Sequence, residues 1–215
     1  MTPEEAEALV DAYARVQAVH FLGDVQLYLA DALVPVWQAT EWRAGAPQPP
    51  PFWAFAWPGS LALARYLIDN PALVAAKAVL DFGSGSGLAA IVAARLGASP
   101  VAAADIDPLA AAAQRLNAAL NAVTIESVVD DLIGCAVTAE VILAGDVCYD
   151  RADTERTLPW LRELAGGGTL VLLADPGRHY APSAGIELLA TYDIPTLHEL
   201  ESQPEKRTRL WRLLP

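Results

Sequence analysis

Apolar and polar positions along this chain follow two rhythms, one of helical spacing and one of short unbroken apolar runs. Residues 3–19 place Leu9, Tyr13 and Val16 behind an acidic first turn, which predicts an amphipathic helix. Residues 20–44 are mixed and read as a further helix or an irregular strand. Residues 46–51 are rich in proline and break regular structure. An aromatic stretch, Pro51 to Gly59, precedes a helix expected from Ser60, its N-cap, to Ile68. Beyond Asn70, apolar runs predict strands near 78–82, 101–105, 124–129, 140–145, 169–174, 190–194 and 207–213. Helical patterns fall between them near 87–96, 108–120, 152–165 and 182–189. Asp107-Pro108 reads as a cap followed by a proline at the first helical position, and Gly166-Gly167-Gly168 as a helix stop. Alternation of this kind implies a mostly parallel sheet of seven strands with helices on both faces, its last strand antiparallel.

The richest local signal is Ala78 to Asp107. An apolar run ends at Asp81, and Gly83, Gly85 and Gly87 follow at alternate positions. A helix then leads to a second apolar run that ends at Asp105. This strand–loop–helix–strand unit has a ligand loop at its turn, the mark of a Rossmann-like α/β fold. Glycines let the backbone approach a ligand closely. Asp81, two residues ahead of the first glycine, would repel a phosphate and suit a cationic head. S-adenosylmethionine carries an ammonium and a sulfonium and no phosphate, and Asp105 is placed to take two ribose hydroxyls. Two other readings stay open: Gly85-Ser86-Gly87-Leu88-Ala89-Ala90 fits the relaxed dinucleotide pattern, and a glycine-rich turn needs no ligand.

A second cluster is Val141 to Asp150, in which an apolar strand delivers Asp146 to its C-terminal end and Tyr149 follows three residues on. Ligands of open α/β sheets sit at the carboxyl ends of strands, so Asp146 is expected to face the same crevice as Gly83 and Asp105. A carboxylate there can orient an acceptor amine and an aromatic ring can flank it. The bland alternative is that Asp146 caps a turn and Tyr149 packs. Asp130 or Asp131, after the third strand, is a candidate partner for an adenine amino group. Trp57 either lines the cofactor site or is a core aromatic. Asp175 and Arg178 follow the fifth strand, where Arg178 is placed to hold an acidic substrate group or to pair with Asp175. His20, His179 and His198 form no triad or metal set, and Cys135 and Cys148 have no metal or disulfide spacing.

The bulk numbers narrow the classes. With 215 residues the chain has room for one globular domain with a sizeable core, residues 1–50 forming a helical extension and 51–215 the main fold. A net charge of −12 argues against nucleic acid and suits a basic protein target. The apolar stretch from Gly87 to Ala104 is interrupted by Arg95, Gly97 and Pro100, so no membrane span is expected. The acidic N-terminus reads as neither a signal nor a transit peptide, and a cytoplasmic monomer is expected.

The run PFWAFAWPGSLALARYLIDNP, then VLDFGSGSG, ADIDP, GDVCYD and ADPGR, resembles the lysine methyltransferases of the electron transfer flavoprotein beta subunit. These are seven-strand class I S-adenosylmethionine-dependent enzymes. The resemblance spans about Pro51 to Arg178 and implies methylation of protein lysines, with that beta subunit as partner. It implies that Asp146 and Tyr149 are a D-x-x-Y motif at the acceptor, that Asp105 binds ribose, and that the three glycines form the methionine-side loop. Methylation of ribosomal-protein lysines or of a small molecule is the nearest alternative. A nucleotide-dependent oxidoreductase is disfavoured by Asp81-Phe82 ahead of the loop, and a non-catalytic binding module by the intact Asp146 and Tyr149.

Overall fold

A computed structural model of the chain describes residues 1–196 and 203–215; His198 lies outside the described residues. The elements in chain order are α1 (Pro3–Tyr13), β1 (Arg15–Ala18), β2 (Gln26–Leu29), α2 (Leu33–Ala44), α3 (Pro58–Asp69), β3 (Val79–Phe82) and α4 (Leu88–Arg95). They continue with β4 (Val101–Asp105), α5 (Pro108–Leu120), β5 (Glu126–Val129), β6 (Val141–Gly145), α6 (Arg151–Gly166), β7 (Leu170–Asp175), β8 (Ile186–Pro195) and β9 (Glu205–Leu213). A short turn of 3-10 helix covers Phe52–Ala54.

Strands β3 to β9 form one seven-stranded sheet in the order β5-β4-β3-β6-β7-β9-β8. β9 pairs antiparallel with both neighbours, and the other strand pairs are parallel. The chain enters at β3, winds outward through β4 and β5, then crosses to β6 on the other side. The order therefore reverses between β3 and β6, and the crevice above that junction is where an open α/β sheet binds ligands. Alternate residues explain why helices cover both faces. Val79, Val141, Leu143 and Leu172 pack with α3 and α4, while Leu80, Ile142, Leu173 and Trp211 pack with α6 residues Trp160 and Leu161. β6 is buried at all five positions, as a central parallel strand must be.

The first fifty residues fold differently from the expectation. The opening helix stops at Tyr13, with Ala14 as its cap, and Arg15–Ala18 pairs with β2 as a hairpin. The helix face that packs is Ala6, Leu9 and Val10, whereas Tyr13 and Val16 are exposed. Two further expectations fail. Helix α3 starts at Pro58, with Trp57 in the capping position, because proline suits the first turn and its missing N–H costs nothing there. Residues 182–189 do not form a helix: Gly185 takes φ 63° and Ile186 opens β8, registered against Leu213 of β9. The short Ile-Glu-Leu-Leu-Ala run fits either period, and pairing with β9 decides it.

The hairpin is tied to the sheet through α5. Asn117 is fully buried; its Oδ1 accepts from Tyr28 N at 2.6 Å and its Nδ2 donates to Ser86 O at 2.8 Å. One side chain thus links β2, α5 and the glycine loop. Asn117→Ala strands a buried N–H and a buried C=O, and should cost about 2–4 kcal/mol, read as a shift of the denaturant midpoint at unchanged slope. A loss below about 0.5 kcal/mol would show that water takes over both groups.

Candidate active site

Two groups of carboxylates stand at the carboxyl edge of the sheet. The first surrounds the glycine loop. Gly83, Gly85 and Gly87 have φ of 65°, 51° and 82°, a left-handed conformation that side chains resist. Asp81, at the tip of β3 and only 3% exposed, accepts from Ser84 Oγ at 2.6 Å and from Ala90 N at 3.0 Å. It therefore pins the loop to the first turn of α4. Burial pushes its carboxyl up to about 6, against the pull of those two donors. Asp105, at the tip of β4, accepts from Gly85 N at 2.9 Å through one oxygen and from Asp107 N at 3.0 Å through the other. Burial raises its carboxyl, and that of Asp107, which caps α5 by accepting from Leu109 N at 2.8 Å. Ile106, between these two acids, is 73% exposed, a large apolar side chain left open on the crevice side of β4.

The second group centres on Asp146. It follows β6 with φ 57°, an uncommon conformation for a residue with a Cβ. Its own N–H donates to Ala174 O at 3.0 Å, which locks the turn against β7. One carboxylate oxygen accepts from Arg178 Nη2 at 2.9 Å and Nε at 3.3 Å; the other accepts from Gly59 N at the start of α3. Side-chain carboxylates offer about four lone-pair sites, so these bonds leave room for one more donor. Burial pushes the Asp146 carboxyl up to about 6, and Arg178 opposes that rise. Gly59 and Gly145 make the approach of α3 possible. A Cβ on Gly59 would lie 2.5 Å from Asp146 Oδ2 and 2.6 Å from Ala174 O, and one on Gly145 would lie 2.8 Å from Ser60 N.

Aromatic side chains wall the crevice. Tyr149 is 49% exposed, and its ring centre lies 5.2 Å from that of Phe52. Phe52 also stacks edge-on with Trp57 at 5.6 Å, and its carbonyl accepts from Trp57 Nε1 at 2.7 Å. Trp57 is partly buried, with the Arg178 guanidinium 5.8 Å above its ring. An open cleft of about 300 Å³ beside Asp146 is lined by Tyr149, Gly177, Arg178, His179 and Lys206. Asp175 is buried, and one of its oxygens accepts from Gly177 N at 2.7 Å and Arg178 N at 2.6 Å.

The sequence-derived residues thus divide. Asp81, the three glycines and Asp105 gather at β3 and β4, while Asp146, Asp175 and Arg178 gather at β6 and β7. Arg178 pairs with Asp146 through its side chain and with Asp175 only through its backbone N–H. Asp131 is exposed and bound to Arg156 at 2.6 Å and to Ile133 N, whereas exposed Asp130 accepts from the adjacent Asp131 N–H. Cys148 is fully buried and its thiol is pushed up to about 12, so it is an inert packing group. Sequence reasoning missed Phe52, Gly59 and Ile106. Of these, Gly59 had a signal, because a glycine in the first turn of a helix implies close approach of another backbone.

A Rossmann-like sheet with strand order reversed at β3/β6 and a glycine loop pinned between acidic strand tips is the architecture of methyltransferases. The structure superposes on magnesium protoporphyrin IX methyltransferase from Synechocystis, solved with bound S-adenosylmethionine, with a TM-score of 0.54, 16% identity, and coverage of 72% of this chain and 77% of that one. A family model for ribosomal protein L11 methyltransferase (PrmA) matches residues 63–146. The electron transfer flavoprotein beta subunit lysine methyltransferase of Mus musculus is 35% identical over 204 residues, 89% of this chain and 77% of the mouse protein. Its Danio rerio counterpart is 40% identical over 173 residues, 77% of this chain and 67% of that protein. The chain belongs to the electron transfer flavoprotein beta subunit lysine methyltransferase family. Among the described residues, no helix is long and apolar enough to cross a membrane.

Gly59→Ala is the sharpest test of the α3 contact. A methyl in that position must push α3 away from Asp146, at a cost of about 1–3 kcal/mol in stability and with loss of turnover. Wild-type melting together with wild-type turnover would show that the helix can retreat freely.

Proposed function

We propose that this protein transfers methyl groups from S-adenosylmethionine to lysine side chains of the electron transfer flavoprotein beta subunit. The observation that carries this reading is the family match, which extends over nearly the whole chain and includes the Asp146–Tyr149 segment. The loop residues fit the cofactor. Gly83 is exposed at the loop's outer edge, Asp105 sits at the adjacent strand tip within reach of ribose hydroxyls, and Ile106 offers an apolar face for a base. The carboxylates at 81, 105 and 107 make the surroundings unsuited to a pyrophosphate, against the dinucleotide reading. Of the pair after β5, Asp130 is the better adenine partner, since Asp131 is committed to Arg156. We expect a monomer in the cytoplasm.

When bound, the cofactor supplies an electrophilic methyl group on a sulfonium. The chain's own residues prepare the acceptor. A lysine amine must be neutral and must point its lone pair along the line of attack. Water takes the ammonium proton before transfer. The Asp146 carboxylate then accepts an N–H of the neutral amine and fixes its direction, and the Tyr149 ring, braced by Phe52, bounds the channel. A second reading, transfer to a ribosomal protein, is favoured by the family-model match at residues 63–146. That match covers the cofactor side and ends at Asp146, so it bears less on the acceptor.

Two substitutions separate the halves of the site. Asp105→Ala removes a charge-assisted pair of hydrogen bonds and should weaken cofactor affinity by about 30- to 150-fold, or about 2–3 kcal/mol. Asp146→Asn should lower single-turnover transfer by about a hundredfold or more while cofactor affinity changes by less than about tenfold. Calorimetric titration and rapid-quench assays on the same folded proteins read both. The acceptor itself is tested by incubating the enzyme and labelled cofactor with the flavoprotein beta subunit and, in parallel, ribosomal protein L11. Lysine methylation of the first, mapped by mass spectrometry, is the expected result. Label on L11 alone, or on neither, would overturn the assignment.

A further inference from the structure

We infer that Arg178 is a positioning residue for lysine methylation: its guanidinium holds the Asp146 carboxylate in the one orientation that leaves a lone pair for the acceptor amine. The inference rests on the methyltransferase reading above and departs from a substrate-binding role for Arg178. The first ground is geometric. Nη2 and Nε converge on one oxygen of Asp146 at 2.9 and 3.3 Å, and Gly59 N holds the other. The carboxylate cannot rotate without breaking contacts on both oxygens.

The second ground is that Asp175, Gly177 and Arg178 together build the turn that makes this contact. Asp175 accepts from the N–H groups of Gly177 and Arg178 at 2.7 and 2.6 Å, which tightens the turn. Gly177 takes φ 88°, which a side chain would oppose. The turn carries Arg178 back over the Trp57 ring at 5.8 Å, where the π face favours a planar cation and fixes its tilt. Trp57 is in turn held by its bond to the Phe52 carbonyl.

The third ground is charge. Among the described residues, the groups that act on the charge of Asp146 include Arg178 and Asp175 from β7 and its loop, Gly59 N from α3, and Cys148 beyond β6. Asp175 and burial favour the protonated carboxyl, and the Cys148 thiol stays neutral. Arg178 is thus the cation that keeps Asp146 ionised near neutral pH. A protonated Asp146 loses the negative charge that draws and aligns an amine.

The experiment compares wild type, Arg178→Gln and Arg178→Lys in full-length enzyme, with S-adenosylmethionine and the flavoprotein beta subunit, between pH 5.5 and 9. Arg178→Gln should lower kcat about tenfold or more at pH 7 and move the acidic limb of the kcat profile to higher pH. The direction follows because losing the cation raises the carboxyl of Asp146, so more alkaline conditions are needed to ionise it. Arg178→Lys should restore the limb and part of the rate. Cofactor affinity should stay within about threefold for both. A raised KM for the protein substrate with unchanged kcat and an unmoved limb would make Arg178 a substrate-binding residue and overturn the inference. An equal drop in both variants with no movement of the limb would overturn it as well. Should Arg178→Gln not fold, Arg178→Lys decides alone: a lowered kcat with KM unchanged supports positioning, and a raised KM at wild-type kcat refutes it. Absence of lysine methylation by wild type would count against the proposed function instead.

Discussion

The buried carboxylate of Asp146 is the constraint around which this end of the molecule is arranged. A charge taken out of water must be paired and hydrogen-bonded or it will be neutralised. Here two separate segments meet that demand and a third fixes the turn that carries the residue. The start of α3 supplies Gly59 N–H, the loop after β7 supplies Arg178, and β7 holds the Asp146 backbone through Ala174 O. Each contact restricts the sequence around it. Gly59 and Gly145 must lack side chains, because a Cβ on either would fall within 3 Å of neighbouring backbone or carboxylate atoms. Asp146 itself sits at φ 57°, a local strain of about 1–3 kcal/mol that persists because its surroundings over-determine it.

That dependence explains which parts were legible in the sequence. The unit from β3 through β4 was readable because its signals are local: an apolar run, glycines in left-handed positions, an amphipathic helix and an acidic strand tip. The seven-stranded, mostly parallel sheet followed from alternation of strand and helix, whereas the order of its strands is set by the crossover from β5 to β6. The Trp57-Pro58-Gly59 motif was visible but its purpose was not, since Gly59 meets a residue 87 positions away. Arg178 stands out in the sequence as a charged residue at the sheet edge, open to an acidic substrate group or to pairing with Asp175. The turn instead brings its side chain to Asp146, 32 positions earlier. Two of the misread elements share a cause. The end of α1 and the run from Ile186 are short segments of ambiguous period, and strand pairing settled both.

Asp81 shows how a motif residue can shape the loop it precedes. Its position ahead of the glycines suggested direct contact with a cationic group. The side chain turns inward and joins Ser84 to Ala90, so it shapes the loop and holds the start of α4. Asp105 extends the same logic, since it anchors Gly85 N–H and at the same time stands at the crevice. The loop is therefore braced from two strand tips, and its left-handed glycines are held in place before any ligand arrives. Such preorganisation lowers the ordering cost of binding.

The two carboxylate groups lie over different strands, and Phe52 connects them. Its ring rests against Tyr149 at 5.2 Å, its carbonyl accepts from Trp57, and a Cβ on Gly85 would come within 3.6 Å of that carbonyl oxygen. One residue therefore touches Tyr149 and the ring beneath Arg178 and lies close to the glycine loop. The helical turn Phe52–Ala54 that carries it is fixed by burial of Trp53, Ala54 and Phe55 in a cluster with α1 and α5. The N-terminal segment thus contributes to the site without supplying a charged group to it. It packs on α5 in the same buried cluster as the turn that carries Phe52. On α1 and α5 that cluster is built mainly of alanine and leucine side chains, Ala6 and Leu9 with Leu109, Ala110, Ala112 and Ala113. The alanine-rich composition of this chain is then more than a helix preference, because small side chains on α1 and α5 leave room in the same cluster for Trp53 and Phe55, whose burial anchors the turn that carries Phe52.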